Sequence, residues 1–150
     1  MNGKYDCLKL DNQLCFPLYA CSKEIVRRYK PFLDELDLTY TQYITMMVLW
    51  EQGQTNVKEL GKRLYLDSGT LTPVLKKLEV KGYITRQHSD EDERNLIVTI
   101  TDSAIELRER ALNIPDKMVR CLNLSEKEKN TLYELLNKAL NGMEHIRKGE

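Results

Sequence analysis

The chain has 150 residues, 23 Lys and Arg against 23 Asp and Glu, and 41% hydrophobic residues. This is the composition of one ordinary globular domain, and it excludes a disordered, collagen-like or low-complexity chain. The longest uncharged stretch, Leu38 to Trp50, falls short of the about 20 apolar residues that span a bilayer. Met1 is followed by Asn2, Gly3 and Lys4 rather than an apolar run, so neither a membrane span nor a secretory signal is expected, and the cytoplasm is the expected compartment. Cys7, Cys15, Cys21 and Cys121 contain no CxxC pair and match no usual ligand set, which predicts free thiols, no metal and no cofactor.

From Asp11 onward, Leu14, Leu18, Cys21, Ile25, Tyr29 and Phe32 recur at three- and four-residue steps, the pattern of an amphipathic helix. Pro17 inside that pattern predicts either a kink or a helix start close to Cys15, and Pro31 with the acids after it is expected to end the segment. Thr39 and Gln42 form a capping box for a second helix carrying Tyr43, Met46, Met47 and Trp50, which Gly53 closes. Between Thr55 and Gly82 two short helices follow, one lined by Val57, Leu60 and Leu64, the other by Leu71, Leu75 and Leu78. Asp67 is the N-cap of the second and Gly82 its C′ residue. Strands Ile84–His88 and Leu96–Ile100 flank the polar tip Ser89–Asn95. A helix-turn-helix followed by a hairpin is a winged helix.

Thr101 caps a further helix to about Ala111, and Asn113-Ile114-Pro115 interrupts it. Ser125 and Glu128 open a last helix with Leu132, Leu135, Leu136, Ala139, Leu140, Met143 and Ile146 on one stripe. The expected fold is mainly α with a small β wing (α+β): a winged helix-turn-helix with N- and C-terminal dimerisation helices. The terminal helices carry more apolar surface than the centre can cover, which predicts a homodimer.

Charge is balanced over the chain but not locally: from Val57 to His88 seven Lys or Arg face three acids. Ser68, Thr70, Thr72, Lys76, Lys77 and Lys81 lie on the second short helix away from its leucines, which suits a recognition helix in a major groove. The amides of Ser68 and Gly69 are placed to meet a phosphate, and Arg86 adds a cation. At the hairpin tip Arg94 is expected to enter a minor groove with Asp92 orienting its guanidinium.

The run Leu66-Asp67-Ser68-Gly69-Thr70-Leu71-Thr72-Pro73-Val74-Leu75-Lys76-Lys77-Leu78-Glu79, followed by Asp90-Glu91-Asp92-Glu93-Arg94, resembles the MarR superfamily of winged-helix repressors. Leu14-Cys15-Phe16, Leu18-Tyr19-Ala20 and Leu38-Thr39-Tyr40-Thr41-Gln42-Tyr43 resemble its organic hydroperoxide resistance branch. The resemblance runs from about Lys9 to Thr101 and implies a single MarR-type domain over 1–150. Within it the winged helix spans about 38–101 and the dimerisation helices about 9–36 and 102–147. It implies a homodimer that binds a pseudo-palindromic double-stranded DNA operator and releases it on oxidation. By this resemblance Cys15 is the peroxidatic cysteine, Tyr29 and Tyr40 are the tyrosines that hydrogen-bond it across the dimer, and Cys121 is a possible resolving thiol. Cys21 and Cys7, the latter in an end expected to be mobile, are bystanders. Pro17 departs from the family pattern beside Cys15.

The chemistry is coherent: a thiol attacks a peroxide as thiolate, and phenolic O–H donors stabilise that anion. Apolar neighbours Leu14, Phe16 and Leu18 favour an organic hydroperoxide as effector. The alternative reading is a MarR-type repressor released by a small aromatic ligand, with Cys15 structural. Enzyme readings lack support, since there is no phosphate loop, no G-x-S-x-G and no Cys/His pair at a motif spacing.

Overall fold

A computed structural model describes the backbone of residues 3–148 and the side chains through Glu144. The chain divides into two compact units, Met1–Ile114 and Pro115–Glu150. The first is a helical frame around a winged helix; its sheet is small, as the sequence predicts.

The N-terminal arm forms two 3-10 turns, Asp6–Leu8 and Leu10–Asn12, before α1 (Cys15–Asp34). The helix thus begins at Cys15, the second of the two outcomes expected of Pro17, and the residues before it fold into short turns instead of helix. Side-chain amides compete with the helix here: Gln13 Nε2 donates to the carbonyls of Cys7 and Lys9 at 2.6 and 2.8 Å, and Asn12 Nδ2 to that of Asp6 at 2.6 Å. Pro17 sets the start. It has no N–H for the carbonyl four residues back, so the helix begins with Pro17 in its first turn, where the missing donor is not needed. Pro31 does not end α1, which continues through it to Asp34. The carbonyl it leaves unpaired is that of exposed Arg27, open to water.

The corner after α1 holds Asp37 in the left-handed region at φ +53°, and Thr39 then caps α2 (Tyr40–Gln52) through a complete capping box with Gln42. Strand β1 (Gln54–Asn56) was not apparent in the sequence, because three polar residues carry no period. It exists by pairing antiparallel with β3, Thr55 opposite Val98. Asn56 then caps α3 (Val57–Leu64), accepting from the Glu59 amide at 2.8 Å. In the turn to α4 (Ser68–Val80), a Cβ on Gly61 would lie 2.7 Å from the Leu66 carbonyl oxygen, so only glycine permits this close approach.

The hairpin β2 (Ile84–His88) and β3 (Leu96–Ile100) pairs in register Arg86 opposite Val98, giving the sheet order β1-β3-β2. Met46, Leu49, Leu60, Leu71, Leu78 and Val98 are fully buried and join α2, α3, α4 and the sheet into one core. α5 (Asp102–Ala111), capped by Thr101, closes on α2 through Trp50 Nε1, which donates to the Ala104 carbonyl at 2.8 Å.

After α6 (Ile114–Val119) and the 3-10 turn Arg120–Leu122, the second unit is dominated by α7 (Glu126–Lys148). Ser125 and Glu128 close its capping box at 2.8 and 3.2 Å. Leu132, Leu135, Leu136 and Met143 on its stripe are exposed, and the side chain of Ile146 lies outside the described ones.

Candidate functional site

Helix α4 presents an outer face opposite its buried Leu71, Val74, Leu75 and Leu78. Gly69, Pro73, Lys76 and Val80 form its centre, with Thr72 on one flank and Thr70 and Lys77 on the other; Val80 is 88% exposed. The outward apolar pair Pro73 and Val80 was missed by a reading that searched the helix for polar groups. Asp67 accepts from the Thr70 amide at 2.7 Å, and this hydrogen bond lowers its pKa. Its carboxylate also engages the Gly69 amide, one of the two amides expected to meet a phosphate. Ser68 is exposed at the first turn, and the Thr72 hydroxyl donates to the Ser68 carbonyl at 2.7 Å.

Three of the local cations are already engaged. Arg86 forks onto Glu79, Nε to Oε2 at 3.2 Å and a terminal nitrogen to Oε1 at 3.0 Å, which holds the Glu79 carboxyl below its usual range. Arg63 pairs with Glu51 at 2.5 Å. Lys81, expected on the exposed face, turns to the α1–α2 corner and donates to the Asp37 carbonyl. Among the described residues Lys58, Lys62, Lys76 and Lys77 have no ion-pair partner, so the basic surface of the helix-turn-helix is carried by lysines of α3 and α4.

At the wing tip Asp92 does not hold the Arg94 guanidinium. Its Oδ1 accepts from the Arg94 backbone amide at 3.0 Å, and its carbonyl from the Asn95 amide at 2.9 Å. The carboxylate therefore shapes the turn, and the exposed Arg94 side chain projects without an ion pair among the described residues.

The second cluster is aromatic. Tyr29 of α1 and Tyr40 of α2 bring their rings to 5.0 Å between centroids, Tyr43 joins at 5.7 Å from Tyr29, and Trp50 lies 6.4 Å beyond Tyr43. Burial, then the neighbouring Tyr40 and Tyr43, push the Tyr29 phenol up to about 12, and burial raises Tyr40 and Tyr43 as well. All three stay O–H donors at neutral pH. Tyr43 lies in the run that resembles the family but was given no role by it; its spacing of three from Tyr40 on α2 is the signal that places it in the cluster.

Cys15 is the first residue of α1, exposed, at a helix end with no side-chain cap and no acid in the first turn. The positive end of the helix dipole and open amides lie beside the thiol. Tyr29 is 14 residues further along the same helix, about 21 Å away at 1.5 Å per residue, so Cys15 cannot reach it within one chain. Cys7 and Cys21 are also exposed, and Cys121, in the second unit, donates its thiol to the Lys117 carbonyl at 3.5 Å. No helix among the described residues is long and apolar enough to cross a membrane.

Residues 27–111 match the SarA/Rot family of transcriptional regulators. The chain is 46% identical over 140 residues to the organic hydroperoxide resistance transcriptional regulator of Bacillus subtilis, covering 91% of this chain and 95% of that protein. The chain belongs to the organic hydroperoxide resistance branch of the MarR superfamily. It is a transcriptional regulator of the MarR type and not an enzyme. The AbfR protein of Staphylococcus epidermidis, solved reduced and bound to DNA, superposes at a TM-score of 0.77 with 32% identity, over 94% of this chain and 99% of that one. The same protein in a disulfide-formed state gives 0.67, over 93% of this chain and 96% of that one. MarR of E. coli on operator DNA shares the fold at 0.79 with 24% identity, over 93% of this chain and 99% of that one.

Proposed function

We propose that this chain is a homodimeric repressor that binds a DNA operator when reduced and releases it when an organic hydroperoxide oxidises Cys15. The carrying observation is the division of the sensing groups along α1, with an exposed thiol at its uncapped start and donor tyrosines clustered at its far end. A second copy running the other way brings Tyr29 and Tyr40 to Cys15. The exposed Leu14 just before α1, Phe16, Leu18 and Tyr19 on α1, and separately Leu132, Tyr133 and Leu135 on α7, offer the apolar surface that such a copy buries.

In the proposed chemistry the Cys15 thiolate attacks the terminal peroxide oxygen, the O–O bond breaks, and the alkoxide leaves as an alcohol after protonation. Cys15 becomes a sulfenic acid. A second thiol, with Cys121 of a partner subunit as candidate, then displaces water to form a disulfide. Before oxidation the phenols of Tyr29 and Tyr40 donate to the thiolate, a role that their raised pKa values keep open. Ser68, Thr70, Thr72, Lys76 and Lys77 face the major groove, Arg94 enters the minor groove from a wing shaped by Asp92, and Arg86 steadies Glu79 of α4 rather than meeting DNA.

Fluorescence anisotropy with DNA from upstream of the protein's own gene tests this reading. Specific binding lost after a stoichiometric dose of organic hydroperoxide and restored by a thiol reductant is the expected result. Binding indifferent to peroxide contradicts the sensing reading and favours release by a small aromatic ligand.

A further inference from the structure

The cation at the end of the recognition helix faces away from the DNA surface. Lys81, the residue that follows α4, directs its ammonium into the α1–α2 corner, where it donates to the Asp37 carbonyl and to Gln42 Oε1 at 3.3 Å and lies 3.4 Å from Asp37 Oδ2. The ammonium thus makes two hydrogen bonds and one ion pair at this corner. Two of these partner atoms belong to Asp37 in the segment that links the tyrosine-bearing helices, and the third to Gln42 in the first turn of α2. Gln42 is 2% exposed, and its Oε1 also accepts from the Thr39 amide in the capping box of α2, between Tyr40 and Tyr43. The corner is held from a second side by Arg110 of α5, which donates to the Glu35 carbonyl at 2.7 Å. The Asp37 carboxylate is 90% exposed and therefore screened, so the carbonyl and the buried amide are the anchors.

We infer that Lys81 is a positioning residue, tying the recognition helix to the corner between α1 and α2 so that the state of the tyrosine cluster sets the pose of α4 on DNA. The pose part stands on the contacts alone; the link to oxidation rests on the proposed sensing function. A shift of α2 against α1 at the Tyr29–Tyr40 contact moves Gln42 and the corner, and through Lys81 the C-terminal end of α4. Its face toward the groove carries no Lys81 contact, so the residue acts on binding through geometry.

Lys81→Met keeps the aliphatic stem and removes the ammonium, and Lys81→Arg keeps a donor within reach. Operator affinity is measured for reduced and oxidised protein across a salt series, with Cys15 oxidation followed separately by mass spectrometry. The expected result for Lys81→Met is reduced-state binding weakened about fivefold or more at an unchanged salt slope, and a smaller ratio of reduced to oxidised affinity. Cys15 oxidises at the wild-type rate, and Lys81→Arg recovers most of both losses. Unchanged affinity and ratio overturn the assignment. So does weaker binding with the salt slope reduced by about one, because that marks a lost phosphate contact. If wild-type protein stays on DNA after Cys15 is oxidised, the sensing function fails, while the reduced-state affinity and slope still decide the role of Lys81.

Discussion

The outer face of α4 with the wing and the thiol end of α1 are built on opposite principles. Everything that shapes α4 and the wing is supplied within one chain: Asp67 caps the helix, Gly61 admits the tight turn, Glu79 occupies Arg86, and Asp92 folds the tip under Arg94. Cys15 has no such surroundings. It sits exposed at an uncapped helix start, about 21 Å along α1 from Tyr29. A reading surface can be finished in each subunit, because operator half-sites repeat with the protein's symmetry. Under the proposed function, a sensor divided between subunits makes the dimer itself the object that oxidation alters.

The most damaging change to this contrast is Cys15→Ser. The variant is expected to bind operator as the reduced wild type does and to lose the whole peroxide response; release as ready as wild type would place the sensing thiol elsewhere. Next comes Arg94→Ala, which removes an exposed wing cation that has no ion pair among the described residues, with an expected loss of about 1–3 kcal/mol in operator binding by anisotropy. Unchanged affinity would take the wing out of the interface.

Asp67→Ala tests whether the reading head is locally finished. Loss of its cap is expected to lower the midpoint of urea denaturation, and no change would mean that α4 is held by packing alone.

The smallest effect is spectroscopic. Tyr29 ionises near 10 when unfolded and at about 12 when folded, so the fold keeps a proton that the unfolded chain has lost. Its contribution to stability is complete below pH 10 and disappears as pH rises toward about 12. Tyr29→Phe should remove the latest-titrating component of tyrosinate absorbance and soften the alkaline loss of stability. A titration curve unchanged apart from its amplitude would deny the phenol its buried setting.

The sequence was most legible where a structure is decided by neighbours a few residues apart. The caps at Thr39, Asp67, Thr101 and Ser125 and the end of α2 at Gly53 could be read from local pattern, because each rests on a hydrogen bond or a dihedral fixed within about one turn, and both wing strands could be read from their runs because they pair with each other across a single hairpin. Strand β1 was not legible, since Gln54–Asn56 becomes a strand only by pairing with residues more than 40 positions away. The continuation of α1 through Pro31 was missed because a proline near a helix end costs only one exposed hydrogen bond.

The candidate site divides in the same way. The outward face of α4 and the tyrosine pair followed from spacing and resemblance. The engagement of Lys81 with the corner, the pairing of Arg86 with Glu79 and the entry of Tyr43 into the cluster depend on how separate elements meet. Charge counting found the basic segment but not which cations were already occupied.

The central claim is that the thiol of one subunit is served by the tyrosines of the other, and mixed dimers test it most directly. A Cys15→Ser chain is combined with a chain carrying Tyr29→Phe and Tyr40→Phe, and the rate of Cys15 oxidation by an organic hydroperoxide is measured. The account predicts that the mixed dimer, in which the one remaining thiol meets the one intact tyrosine pair, oxidises at the wild-type rate, while the double-Phe homodimer is slower. A mixed dimer as slow as the double-Phe homodimer would contradict it.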